Sequence, residues 1–381
     1  MIYLDTSASY PVLPEVREAL IAASDLCYAN SAASHLLADR VSQNIESVRS
    51  VLADMIGSYS SEVVFTSGAT ESNNIAFKSL LLADGFPPDK NHIVTTSIEH
   101  KCVLSICGYL QRRGFSVTYL KPDSNGIISV EKVEAALQTS TAMVSVMHVN
   151  NELGTINPIA EIGELCSRRG VLFHSDAAQS FGKIPVDVDD CNCDLLSISA
   201  HKIGGPKGVG AIYIRDLRKL ELEPVIHGAG QEEGLRGGTV ASPLVVGFGE
   251  AAKYFPMHYH EFERTRAKDY LLGQLAEVGI AYRVNGGGDS LPNCVSLTLG
   301  ETDVGSLLRD NESQICLAQG SACSSREIEA SHVLTALGLS RDLAGKTLRI
   351  SFPLNITLTQ LDQLIEAIKK ASVSNLDRRY L

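Results

Sequence analysis

Ser197-Ile198-Ser199-Ala200-His201-Lys202-Ile203-Gly204-Gly205-Pro206-Lys207-Gly208 ends a short β-rich run in a lysine and turns at once into a glycine- and proline-rich loop. Glycine and proline interrupt regular structure, so the run at 195–199 is expected to be a strand with Lys202 just past its end. Six more runs share its character, at 63–67, 92–97, 116–120, 142–149, 171–175 and 210–214. Many are apolar almost throughout, as strands covered on both faces must be, and the helical stretches between them suit crossover connections. The expected class is α/β: a large domain with a seven-stranded, mostly parallel sheet, with ligand chemistry gathered where strands end.

The texture changes near residue 256. A charge-rich helical stretch at 261–275, the turn Asn285-Gly286-Gly287-Gly288 and a strand-like run at 294–299 indicate a smaller α+β domain. Its last helix carries Thr359 and Asp362 at capping-box spacing, with Leu361, Leu364, Ile365 and Ile368 on one face. Residues 13–255 are therefore expected to form the large domain, and 1–12 with 256–381 the small one.

Composition narrows the function. The 381 residues are 44% hydrophobic and 20% charged, which excludes a disordered chain or a coiled coil. A formal charge of -11 gives no overall attraction for nucleic acid, so direct nucleic-acid binding is not expected. The nine cysteines are odd in number and contain no C-x-x-C pair. Cys191 and Cys193 are the nearest approach to a metal motif and lack a second pair, so no metal is expected. The N-terminus does not read as a signal peptide, and no apolar run approaches a membrane span; a reduced cytoplasm is the expected setting.

A lysine on a turn is ordinarily a surface residue, but the neighbours of Lys202 argue otherwise. Some twenty residues earlier an apolar strand ends in Asp176, within Ser175-Asp176-Ala177-Ala178-Gln179. A lysine and a carboxylate at strand ends suit pyridoxal 5'-phosphate (PLP), whose ring nitrogen needs a carboxylate partner if the ring is to act as an electron sink. Thr66-Ser67-Gly68-Ala69-Thr70-Glu71-Ser72 follows another strand and opens a helix, where N–H groups and the Thr70 hydroxyl can bind phosphate. Ser199 and His201 can add donors, and His100 can stack on the ring.

Taken together these motifs resemble the cysteine desulfurases of the nitrogen-fixation and iron–sulfur-cluster type, fold-type I PLP-dependent transferases of the class V aminotransferase family. The likeness runs nearly end to end, through Tyr3-Leu4-Asp5 with Ser7-Ala8, Ser67–Asn73, Glu99-His100-Lys101, His148–Gly154, Asp176–Gln179 and Ser199–Lys202. The resemblance implies that Lys202 carries the cofactor and Asp176 pairs with its ring nitrogen. Asn151 and Gln179 would contact the ring and its phenolic oxygen, and His100 would stack and move protons. Ala69, Thr70, Ser199 and His201 would hold the phosphate. In Ala318-Gln319-Gly320-Ser321-Ala322-Cys323-Ser324-Ser325 it marks Cys323 as the thiolate that takes sulfur from L-cysteine, leaving L-alanine and a persulfide. Arg349 would grip the substrate carboxylate, with Asn151 beside it.

The stretch 227–239 resembles the family segment that reaches the neighbouring subunit, where Thr239 would touch the partner's phosphate, so a homodimer is implied. Glu233 and Gly237 stand where the family usually has arginine and serine, and Ser351-Phe352-Pro353-Leu354 replaces a glycine-containing turn. The chain stops soon after its last helix, so the longer tail that docks an iron–sulfur scaffold is expected to be missing. A sulfur-acceptor protein remains implied, in iron–sulfur assembly, tRNA thiolation or DNA phosphorothioation. The competing expectations are another PLP enzyme of this fold, such as a selenocysteine lyase or aminotransferase, and a PLP-binding scaffold without turnover.

Overall fold

The computed structural model describes residues 1–263, 266–319, 321–322 and 329–377. Seven strands build its large sheet: β1 (Val63–Thr66), β2 (His92–Thr96), β3 (Ser116–Leu120), β4 (Thr141–Ser145), β5 (Leu172–Asp176), β6 (Leu195–Ser199) and β7 (Gly210–Ile214). Their spatial order is β1-β7-β6-β5-β4-β2-β3, with β7 antiparallel to both neighbours and every other pair parallel. All seven expected runs are strands, so the sheet is mostly parallel, as the patterning requires.

Alternate side chains enter different cores, which is why the runs are apolar without a polar face. Val63, Phe65, Val94, Val144, Leu196 and Ile198 belong to one cluster. Val64, Ile93, Met143, Leu195 and Ile212 belong to the other, beneath the helices Ala69–Leu81 and Lys101–Gln111. The run expected at 142–149 leaves regular strand after Ser145. Its backbone stays paired, with Val146 N–H donating to His174 and His148 N–H to Asp176, and the chain bends so that Met147 N–H reaches Glu99.

A second sheet has four antiparallel strands in the order Ala318–Gln319, Thr347–Ser351, Cys294–Thr298, Arg283–Asn285. The chain start joins this half: Ile2–Tyr3 pairs in parallel with Ile315–Cys316, and Asp5 bridges to Ser351. Two expectations need correction. The stretch 261–275 is not one helix but the end of Ser242–Glu263 and most of Ala267–Glu277, with Arg266 at a left-handed φ of 49° between them. Residue 256, where the texture changes, lies inside the first of these helices as Pro256.

The last helix, Leu358–Asp377, is capped two residues earlier than expected. Gln360 N–H donates to Thr357 Oγ1 at 3.3 Å and Thr357 N–H to Gln360 Oε1 at 3.0 Å. Thr357 and Gln360 have the same spacing as Thr359 and Asp362, and Asp362 instead accepts from the Tyr270 hydroxyl at 2.6 Å. The apolar face is as expected, with Leu361, Leu364, Ile365 and Ile368 all buried. Among the described residues no helix is long and apolar enough to cross a membrane.

Candidate active site

Parallel strands bring their C-terminal ends to one edge, and there the chemistry collects. β5 ends in Asp176, β6 ends in Ser199 and leads to Lys202, and β2 is followed by His100 at the start of a helix. β1 turns through Ser67-Gly68 into the helix Ala69–Leu81. A single cavity of about 580 Å³ is lined by Lys202, Asp176, Gln179, Asn151, His100, Ala69, Thr70, Ser199, His201 and Arg349. Ten expected site residues thus face the same space.

Lys202 Nζ donates to the carbonyls of Ser7 at 2.7 Å and Ala8 at 2.8 Å. Burial, with Arg349 nearby, pulls its pKa from the ordinary lysine value down to about 8, against the opposing pull of Asp176. Asp176 is 5% exposed and accepts from Asn73 Nδ2 at 2.8 Å and from Ala178 N–H at 2.9 Å. Gln179 Nε2 donates to the Ser7 carbonyl at 2.8 Å, and its Oε1 accepts from Lys183 Nζ at 3.0 Å. Burial pushes the Lys183 amine down to about 7.

Donors lie ready at the opposite end. The helix Ala69–Leu81 points its first N–H groups there, and Gly68 turns the chain with a φ of 143° that suits glycine alone. Ser199 Oγ is buried and has no hydrogen-bond partner among the described residues. His201 Nδ1 lies 3.4 Å from Ser9 Oγ, and burial together with Lys202 and Lys207 lowers its pKa to about 4, so it is a neutral hydrogen-bonding group.

Arg349 sits on the strand Thr347–Ser351 and joins the two halves of the molecule. Its Nη1 donates to the Asn151 carbonyl at 3.1 Å and its Nη2 to Asp5 at 2.6 Å, while its buried Nε has no partner among the described residues. Half of the fork is therefore engaged within the chain. Glu99, wholly buried beneath His100, is held protonated by loss of water, its pKa raised to about 8.

Two expected residues are not in this group. Thr239 is exposed on a loop and does not line its own chain's cavity, and Cys323 lies outside the described residues. The two departures near Thr239 have local causes. Glu233 pairs with Arg218 at 2.8 Å on the surface. A side chain on Gly237 would put its Cβ 2.5 Å from Gly228 Cα, so this backbone approach admits glycine and not serine. Asn73, Lys183 and the carbonyls of Ser7 and Ala8 were not assigned roles from sequence; the motifs containing Asn73 and Ser7-Ala8 were the available signal.

A buried carboxylate, a lysine of reduced basicity and a helix N-terminus with an unpartnered serine hydroxyl complement the ring nitrogen, carbonyl carbon and phosphate of PLP. The donor set fits that group.

The model of the aminotransferase class-V family matches residues 2–364. The mitochondrial cysteine desulfurase of Arthroderma benhamiae is 43% identical over 97% of this chain and 74% of its own. The cysteine desulfurase IscS of Vibrio vulnificus is 41% identical, covering 97% and 92% of the two chains. A solved structure of SspA in complex with cysteine has 42% identity and a TM-score of 0.84, covering 94% of this chain and 100% of that one. The fold is that of a class-V aminotransferase. Within that class the chain belongs to the cysteine desulfurase family.

Proposed function

We propose that the protein removes sulfur from L-cysteine with the help of PLP, leaving L-alanine and a persulfide on Cys323. The observation that carries this reading is the convergence of Lys202, Asp176 and Arg349 on one cavity. The SspA structure bound to cysteine supports the choice of substrate. When bound, PLP supplies an electron sink for the carbon from which sulfur leaves.

The chain's own residues divide the remaining work. Lys202 holds the cofactor and, once released, carries protons on Nζ, a task suited to an amine that titrates near 8. Asp176 holds the proton of the ring nitrogen, kept in place by Asn73 and Ala178 N–H. The Nε of Arg349, with whatever part of the fork Asp5 releases, binds the substrate carboxylate next to Asn151. Gln179, Ala69, Thr70, Ser199 and His201 orient the cofactor. In the transfer step the carbon–sulfur bond breaks, sulfur joins the thiolate of Cys323, and the carbon takes a proton to become alanine.

The protein acts as a homodimer in the cytoplasm, with Thr239 serving the partner's phosphate. Its persulfide passes to an acceptor protein in iron–sulfur assembly, tRNA thiolation or DNA phosphorothioation.

The Cys323→Ala variant tests the assignment. It is expected to keep the absorbance of the lysine-bound cofactor and to form no persulfide, while Lys202→Ala loses that absorbance. Full desulfurase turnover by Cys323→Ala overturns the role given to the thiolate.

A further inference from the structure

His100 lines the cavity and also caps the helix Lys101–Gln111 with its side chain. Its Nδ1 lies 3.2 Å from the backbone nitrogen of Cys102. A backbone N–H can only donate, so Nδ1 presents a lone pair to it. Cys102 Sγ lies 2.9 Å from the same ring nitrogen.

The role of the sulfur follows from its other neighbours, Asn73 and Thr70. Asn73 Nδ2 lies 2.8 Å from Asp176 Oδ2 and 3.2 Å from Cys102 Sγ. A carboxylate accepts and cannot donate, so the amide group facing Asp176 must be the NH2, which rules out the flipped amide. The same NH2 then donates to the sulfur, which also has a side-chain hydrogen bond with Thr70. With the Thr70 hydroxyl donating as well, the thiol's one hydrogen goes to His100 Nδ1, which the backbone N–H of Cys102 already marks as an acceptor. The neutral ring therefore carries its proton on Nε2, which has no partner among the described residues.

We propose that Cys102 is a positioning residue that holds His100 in its Nε2–H form, so that the resting histidine offers the cavity a hydrogen-bond donor and not a base. The inference concerns the site assigned above and rests on that reading only for what the donor faces. A ring whose Nδ1 lone pair is occupied by two donors has no second lone pair with which to accept a proton at Nε2. Removal of a substrate proton then falls to Lys202 Nζ, and His100 serves an acceptor atom on the bound substrate, such as its sulfur. The charged or titratable groups that face the ring are Asp176 and Glu152, which favour its protonation, and Lys202 and His332, which oppose it.

The test reads the ring nitrogens instead of turnover, so it is independent of whether cysteine is the substrate. Cofactor-loaded protein labelled with 15N-histidine is examined by two-bond 15N–1H correlation, with His100→Gln identifying the resonance. Near neutral pH, Nε2 is expected to be the protonated nitrogen and Nδ1 the bare one. Cys102→Ala removes one donor to Nδ1, so the His100 midpoint should rise by about 0.5 to 1 pH unit, the equivalent of one hydrogen bond. Cys102→Ser, which retains a donor, should restore part of that shift. A proton on Nδ1 in the native protein, or a midpoint unchanged in Cys102→Ala, overturns the proposal.

Discussion

Lys202 is a lysine whose position was readable and whose basicity was not. Its place after a strand and ahead of a glycine-rich loop is a sequence property, but its pKa of about 8 arises from burial next to Arg349, 147 positions away in the chain. Below that pH the amine is an ammonium and cannot attack a carbonyl. The rate at which protein stripped of cofactor captures PLP should therefore rise with pH through a midpoint near 8, followed by the growth of lysine-bound absorbance after mixing. A midpoint at or above 10 would show that the amine is not desolvated. The sign carries over to stability: an unfolded lysine titrates near 10.5, so between about 8 and 10.5 the unfolded chain binds more protons and this group's contribution to stability grows with pH. Asp176, Arg349 and Gln179 were likewise readable by residue type. Lys183 and Cys102 were not, because a lysine on a turn or a thiol in a helix has no distinctive signature until its neighbours across the fold are known, and Asn73 was visible only as part of its motif.

At the scale of elements, two helical glycines separate packing from propensity. Gly163, in the helix Ile159–Arg169, lies against the turn at Cys191, and a Cβ there would come 1.8 Å from the Cys191 carbonyl oxygen. Gly163→Ala should destabilise the protein by about 1–3 kcal/mol through forced displacement of that turn. Gly108, in the helix Lys101–Gln111, has nothing within 4 Å of such a Cβ. Gly108→Ala should stabilise by about 0.5–1 kcal/mol by helix propensity alone. Denaturant midpoints with unchanged slopes would establish both signs, and a neutral Gly163→Ala would contradict the close packing. The strands themselves were legible because both faces of each are buried, whereas element ends were less so. The final helix could start at Thr357 or Thr359 on spacing alone; the reciprocal bonds between Thr357 and Gln360, with Asp362 held by Tyr270, separate them. The break at Arg266 has no glycine or proline to announce it.

For the molecule as a whole, the site is assembled from segments near residues 7, 70, 100, 151, 176, 202 and 349. Arg349 ties the second sheet to both Asp5 and Asn151, so substrate binding is coupled to the seating of the two sheets. Thr239 is exposed and does not line its own chain's cavity, so the proposed homodimer would give it a role only in the partner. Mixing Lys202→Ala protomers with Thr239→Ala protomers should therefore produce hybrid dimers with one complete site. If loss of Thr239 weakens its site strongly, hybrids should recover about half of native turnover, while each parental homodimer stays low. Failure to recover activity in isolated hybrids would place Thr239 in its own chain's chemistry.

By itself the sequence determined the seven strands, the layering of helices around them and the chemical types gathered at their ends. Strands buried on both faces must be apolar throughout, and a lysine-held cofactor needs its carboxylate, phosphate donors and arginine in recognisable local motifs. The tertiary structure alone decided the basicity of Lys202, the partners already held by Arg349 and the glycine required at 237. Those properties depend on desolvation and on contacts between residues far apart in the chain, which no local pattern encodes.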